Sequence, residues 1–96
     1  MKYDKYNLRQ FIPNAVTTAT ITSDLVKRVK ERRKELKYSQ KELALRSGVS
    51  YASIRRFETY GEISFQSLLK IASVLHSLDD FNHLFSHEII TSLKDY

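Results

Sequence analysis

Two adjacent arginines, Arg55 and Arg56, stand in the run SYASIRRFETY, where Ile54 and Phe57 are its large aliphatic and phenylalanine positions. At about 100° per helical residue, Ile54 and Phe57 mark an inward side and leave Ala52, Arg55, Arg56 and Thr59 on or near the opposite one. Tyr51 falls at the flank. A guanidinium carries a planar fork of donors that matches guanine O6 and N7 and also matches phosphate oxygens, so Arg56 can read a base or hold a backbone. Arg55 can do either, or face solvent or an intramolecular partner. The hydroxyls of Ser53 and Tyr60 add candidate donors to phosphate, and each can equally be a cap or a surface group.

The charge of the chain agrees with an anionic partner. Residues 24–60 carry eleven Lys/Arg against five Asp/Glu, whereas residues 61–96 carry two against five. A basic middle and an acidic end point to a polyanion met by the middle, because each phosphate contact releases counterions whatever the base sequence. A solvated basic face is the plainer reading of the same charges.

Other candidate chemistry is thinner. His83 and His87 stand four apart and can share a helix face as metal ligands do, but there is no cysteine and no third ligand beside them, so no metal or cofactor is expected. Asp79 and Asp80 read as first-turn acids favoured by a helix dipole. The two glycines are isolated, which excludes a phosphate-cradling loop, and no nucleophile stands near a general base, so no enzyme is expected. No apolar stretch approaches the roughly 20 residues that span a bilayer, and the start MKYDKYNLRQ lacks the apolar middle of a signal peptide. A cytoplasmic location without a membrane partner is the expectation.

The elements that must position Arg55 and Arg56 follow from caps and periodicity. Hydrophobic residues at 42% over 96 residues suffice for one domain with one modest core. Residues 1–22 hold the single proline, Pro13, and a β-branched stretch, TTATIT, that reads as a short strand or extended arm. Ser23 or Asp24 then caps helix one, with Leu25, Val29 and Leu36 at helical spacing. Ser39 and Glu42 fit a capping box that opens helix two, Gln40 to Ser47, and Gly48 ends it. Ser50 caps helix three, Tyr51 to Thr59, and Ser64 caps helix four, whose stripe is Phe65, Leu68, Leu69, Ala72 and Leu75. A fifth helix over Asp79–Phe85 would bury Phe81, Leu84 and Phe85. The domain therefore spans 23–85, and a C-terminal tail over 86–96, with Ile89, Ile90 and Leu93, extends the helix or meets a partner.

The segment SQKELALRSGVSYASIRRFE has Ala44 small at a helix crossing, Gly48 at a tight turn, and Leu43, Val49, Ile54 and Phe57 facing inward. It resembles the helix-turn-helix of the phage repressor and Cro family, the XRE-like regulators, and the resemblance runs from about Asp24 to Phe85. It implies an all-α, compact five-helix lambda-repressor-like domain with an extended N-terminal tail. It also implies double-stranded DNA as partner, with helix three in the major groove. The matching positions for base edges are Ser50, Tyr51, Ala52 and Arg56; Ala52 can touch a thymine methyl, and Tyr51 replaces a glutamine often found there. Gln40, helped by Ser39, matches a position that holds the DNA backbone, while Arg33 and Glu58 match a structural ion pair. Ser47 is more polar than is usual at its position.

The resemblance further implies a homodimer on a two-fold symmetric operator, acting as a repressor. Two alternatives stand beside it. Small regulators of this family, including those resembling HipB, also act as antitoxins that bind a toxin and repress their shared operon. Co-activators similar to this family use the same fold as a protein-interaction module without sequence-specific DNA binding.

Overall fold

The computed structural model describes residues 16–89, and every regular element within them is helical. α1 spans Thr18–Glu35, α2 Gln40–Ser47, α3 Tyr51–Tyr60 and α4 Phe65–Val74, followed by a 3₁₀ helix over Leu78–His83. This is the expected all-α, five-helix domain. Pro13, Ile90 and Leu93, for which sequence raised an arm and a partner contact, lie outside the described residues.

α1 begins at Thr18, not after Ser23 or Asp24, so TTATIT is the cap and first turn of a helix rather than strand or arm. The reason starts with the cap. Thr17 Oγ1 accepts from the Thr20 amide at 3.1 Å, and the Thr17 amide donates to Thr20 Oγ1 at 3.0 Å. This is a capping box built from two threonines instead of the usual Ser/Thr and Glu/Gln. An N-cap contributes about 1 kcal/mol, while each threonine inside a helix costs roughly half of that relative to alanine. Packing decides the remainder: Thr20 is buried, and Thr22 lies so close to Gly61 that a Cβ there would overlap its Cγ2 methyl.

The chain's remaining ends are closed locally. Ser39, Ser50 and Ser64 each accept the amide three residues on, at 3.0, 3.0 and 3.1 Å. Glu42 does not complete the expected reciprocal box, because its carboxylate accepts from Arg46 Nε at 2.8 Å. Gly48 ends α2 and Gly61 ends α3, both left-handed at φ 77°. α1 and α4 end in Schellman motifs whose left-handed residue is not glycine: Tyr38 N donates to the Arg33 carbonyl beyond Lys37 (φ 62°), and Ser77 N to the Ala72 carbonyl beyond His76 (φ 61°). Ser47, polar where an apolar residue is usual, uses its hydroxyl to accept the Val49 amide at 3.1 Å.

Leu43, Val49, Ile54, Ile71 and Leu75 form the buried core, with Val29, Leu36, Tyr38 and Ile63 packed around it. α2 thus rests on both α3 and α4, and α1 crosses α3. Arg32 Nη1 on α1 reaches the other side, donating to the Leu75 carbonyl at 2.9 Å and Ser77 Oγ at 3.0 Å, where the end of α4 leaves carbonyls unpaired within its own helix.

The C-terminal end departs from expectation. The element there is the 3₁₀ helix ending at His83, and of Phe81, Leu84 and Phe85 only Phe81 is partly covered, its ring edge-on to Phe65 with centroids 5.9 Å apart. Leu84 is already extended and Phe85 is left-handed at φ 61°, so neither continues the face of the helix, and both are exposed.

Candidate nucleic-acid interface

α3 owes its position to one fully buried face. Ile54 and Phe57 are packed away from solvent, and Glu58 beside them is buried although charged. Arg33 of α1 meets Glu58 with both edges of its fork, Nε to Oε2 at 2.8 Å and Nη2 to Oε1 at 3.0 Å. Arg33 Nη1 also donates to the Tyr38 carbonyl at 2.8 Å. Gln40 Nε2 donates to Glu58 Oε1 at 2.9 Å. The ion pair named from sequence is therefore a three-helix clasp that fixes α1, α2 and α3 together. Gln40 spends one amide hydrogen inside it and keeps the other for a partner outside.

The opposite side of α3 carries the polar groups. Tyr51, Ala52, Arg55 and Arg56 are all exposed, which agrees with the side deduced from Ile54 and Phe57. The Tyr51 ring lies 5.5 Å from Lys41 Nζ and 5.6 Å from Arg55 Cζ, so one aromatic ring gathers a cation from each helix of the motif. Arg56 Nη2 lies 2.6 Å from Glu62 Oε1, and its Cζ is 5.8 Å from the Tyr60 ring.

The serines are engaged in capping. Ser39 Oγ accepts from Glu42 N, and Ser50 Oγ accepts from Ser53 N while donating to Ser53 Oγ at 2.8 Å. In that arrangement the Ser53 hydroxyl keeps its own proton for an outside acceptor. Tyr60 is exposed at the far end of α3.

Sequence reading did not single out Lys41 or Glu62. A lysine in the first turn of α2 sits against the helix dipole, which is a signal that could have drawn attention to it. Glu62 offers no such signal, because it stands six residues after Arg56 and past the helix end, outside any helical spacing rule. Among the described residues there is no cluster of three or more His, Cys, Asp or Glu side chains able to hold a metal, and no helix long and apolar enough to cross a membrane.

Two short helices crossing at a left-handed glycine, the second exposing an arginine-bearing face, define a helix-turn-helix DNA-binding domain. The helix-turn-helix family (HTH_3) matches residues 29–81, more than half of the chain. The protein belongs to this Cro/C1-type, XRE-like family and is a DNA-binding transcription regulator. No curated protein and no solved structure matches it.

Proposed function

We propose that the protein is a sequence-specific repressor that binds a two-fold symmetric operator as a homodimer, with α3 of each copy in the major groove and a promoter occluded in consequence. The observation that carries this reading is the exposed face of Tyr51, Ala52, Arg55 and Arg56 on a helix whose other face is held by the Arg33–Glu58–Gln40 clasp. A reading head needs such rigidity, since a bidentate arginine–guanine pair discriminates by roughly 1–3 kcal/mol only when its geometry is met. Ser39, Gln40, Lys41, Ser50, Ser53 and Tyr60 would surround it with backbone contacts. Such a regulator works in the cytoplasm, beside its DNA.

The test is binding to the DNA upstream of its own gene and to a scrambled duplex, across salt from about 50 to 200 mM. Specific binding that weakens with salt is expected. Arg56→Ala should reduce the preference for the operator, whereas Lys41→Ala should weaken both duplexes alike and lower the salt slope by about one. Equal, weak binding to both duplexes would refute operator recognition and favour a protein-interaction module. Sedimentation showing monomers with and without DNA would remove the dimer.

A second reading is favoured by the exposed Leu84, Phe85 and Ile89, which stand near the acidic Asp79, Asp80 and Glu88. An antitoxin would use such an end to hold its toxin while the motif represses the shared operon. Coexpression with the product of an adjacent gene, followed by size-exclusion chromatography of wild type and Phe85→Asp, tests this. A complex that Phe85→Asp leaves intact would speak against that end as the binding surface.

A further inference from the structure

Glu62 reaches Arg56 only because the chain reverses at Gly61. Arg56 and Tyr60 are four apart on α3 and share a helix side, but the helix ends at Tyr60. Gly61 then takes φ 77°, its amide donating to the Phe57 carbonyl at 2.8 Å, and the next residue returns alongside the helix. There Glu62 Oε1 lies 2.6 Å from Arg56 Nη2. The turn is held from behind by Thr22 of α1, whose methyl occupies the place of any Cβ at position 61. Thr22, the turn, Glu62 and Arg56 thus stand in successive contact.

A guanidinium near DNA has two attractive destinations, a base edge and the nearest phosphate, and only the first depends on sequence. A carboxylate beside one nitrogen competes with phosphate for that nitrogen and leaves the other donors of the fork open to a base. The Tyr60 ring, 5.8 Å from Arg56 Cζ, is a second neighbour of the same guanidinium. Both partners of the ion pair are well exposed, with side-chain exposures of 65% and 60%, so the pair adds little to folding. Its effect falls on what Arg56 does when water leaves the interface.

We infer that Glu62 is a specificity-determining residue of this regulator, acting by holding the Arg56 guanidinium in position to read a base rather than a phosphate. The inference rests on the DNA-reading role proposed for α3, and its test separates the two.

Binding sites are first selected from random duplex DNA with the wild-type full chain. Wild type, Glu62→Gln, Arg56→Ala and the double variant are then titrated on the selected duplex, on single-base variants of it, and on a scrambled duplex. Glu62→Gln should melt at the wild-type temperature and bind scrambled DNA about threefold more tightly, one repulsive charge having gone. It should lose roughly tenfold of the preference at one base pair, the same pair at which Arg56→Ala is relaxed. In the Arg56→Ala background, Glu62→Gln should leave that preference unchanged, because the cycle isolates the coupling between the two. Equal strengthening on every duplex would overturn the inference, making Glu62 a plain repeller of phosphate. A sharper preference in Glu62→Gln would also overturn it, since the pair would then be withholding Arg56 from the bases. Failure of the wild type to select any sequence would refute the DNA-reading role itself, before a variant is compared.

Discussion

Replacing Glu58 with alanine removes the acceptor of three buried or partly buried hydrogen bonds, from Arg33 Nε, Arg33 Nη2 and Gln40 Nε2. The Arg33 side chain is only 10% exposed, and a guanidinium does not shed its proton, so a positive charge remains inside, where its Nη1 still donates to the Tyr38 carbonyl at 2.8 Å. Breaking a buried pair from one side costs about 3–5 kcal/mol. A domain of this size holds roughly 5–10 kcal/mol in all. Glu58→Ala should therefore leave a marginal fold. The paired replacement Arg33→Met with Glu58→Leu takes away both charges and restores apolar volume, leaving unpaired only the Tyr38 carbonyl and one Gln40 hydrogen, at about 1–2 kcal/mol together since Gln40 is only half-buried. The double variant should thus be more stable than Glu58→Ala. Urea unfolding followed by far-ultraviolet circular dichroism measures both, provided the slope of the transition is unchanged. A loss below about 1 kcal/mol for Glu58→Ala, or a double variant no better than the single, would refute the reasoning that an uncompensated charge sets the penalty.

Two further predictions concern turns. His76 holds the left-handed position of a Schellman motif without being glycine, so His76→Gly should raise stability by about 0.5–1 kcal/mol, seen as a melting temperature several degrees higher; no rise would mean that the histidine makes compensating contacts. Gly48 and Gly61 share φ 77°, but a Cβ meets nothing within 4 Å at Gly48 and overlaps Thr22 at Gly61. Gly48→Ala should cost about 1 kcal/mol and Gly61→Ala at least twice that, so equal losses in thermal melts would show that the Thr22 contact yields freely.

The helix-turn-helix was legible because its determinants are local. Ser39, Ser50 and Ser64 announce caps by type and position, Gly48 announces the turn, and Ile54 with Phe57 divides α3 into a buried and an exposed side; all of these appear in the structure. The start of α1 was not legible, since threonines in TTATIT argue for extended backbone by propensity and for helix only through the Thr17–Thr20 box and the burial of Thr20. The end of the domain was not legible for the converse reason. Phe81, Leu84 and Phe85 have the composition of a buried face, but the helix stops at His83 before it can present them together.

These two kinds of legibility divide the site itself. Which residues of α3 face outward follows from a period of 3.6 and can be counted from sequence. What holds each of them in place depends on contacts between distant segments, Glu58 with Arg33 across 25 positions and Gly61 with Thr22 across the whole of α2 and α3. The two supports differ in kind. The Arg33–Glu58–Gln40 clasp is buried, so disturbing it should change stability first and recognition only in consequence. The Gly61 turn delivers an exposed carboxylate to an exposed arginine, so changing Glu62 should alter recognition while the fold stands unaltered. If α3 reads bases as proposed, substitution at Glu62 should change discrimination without disturbing the core that keeps α3 in place.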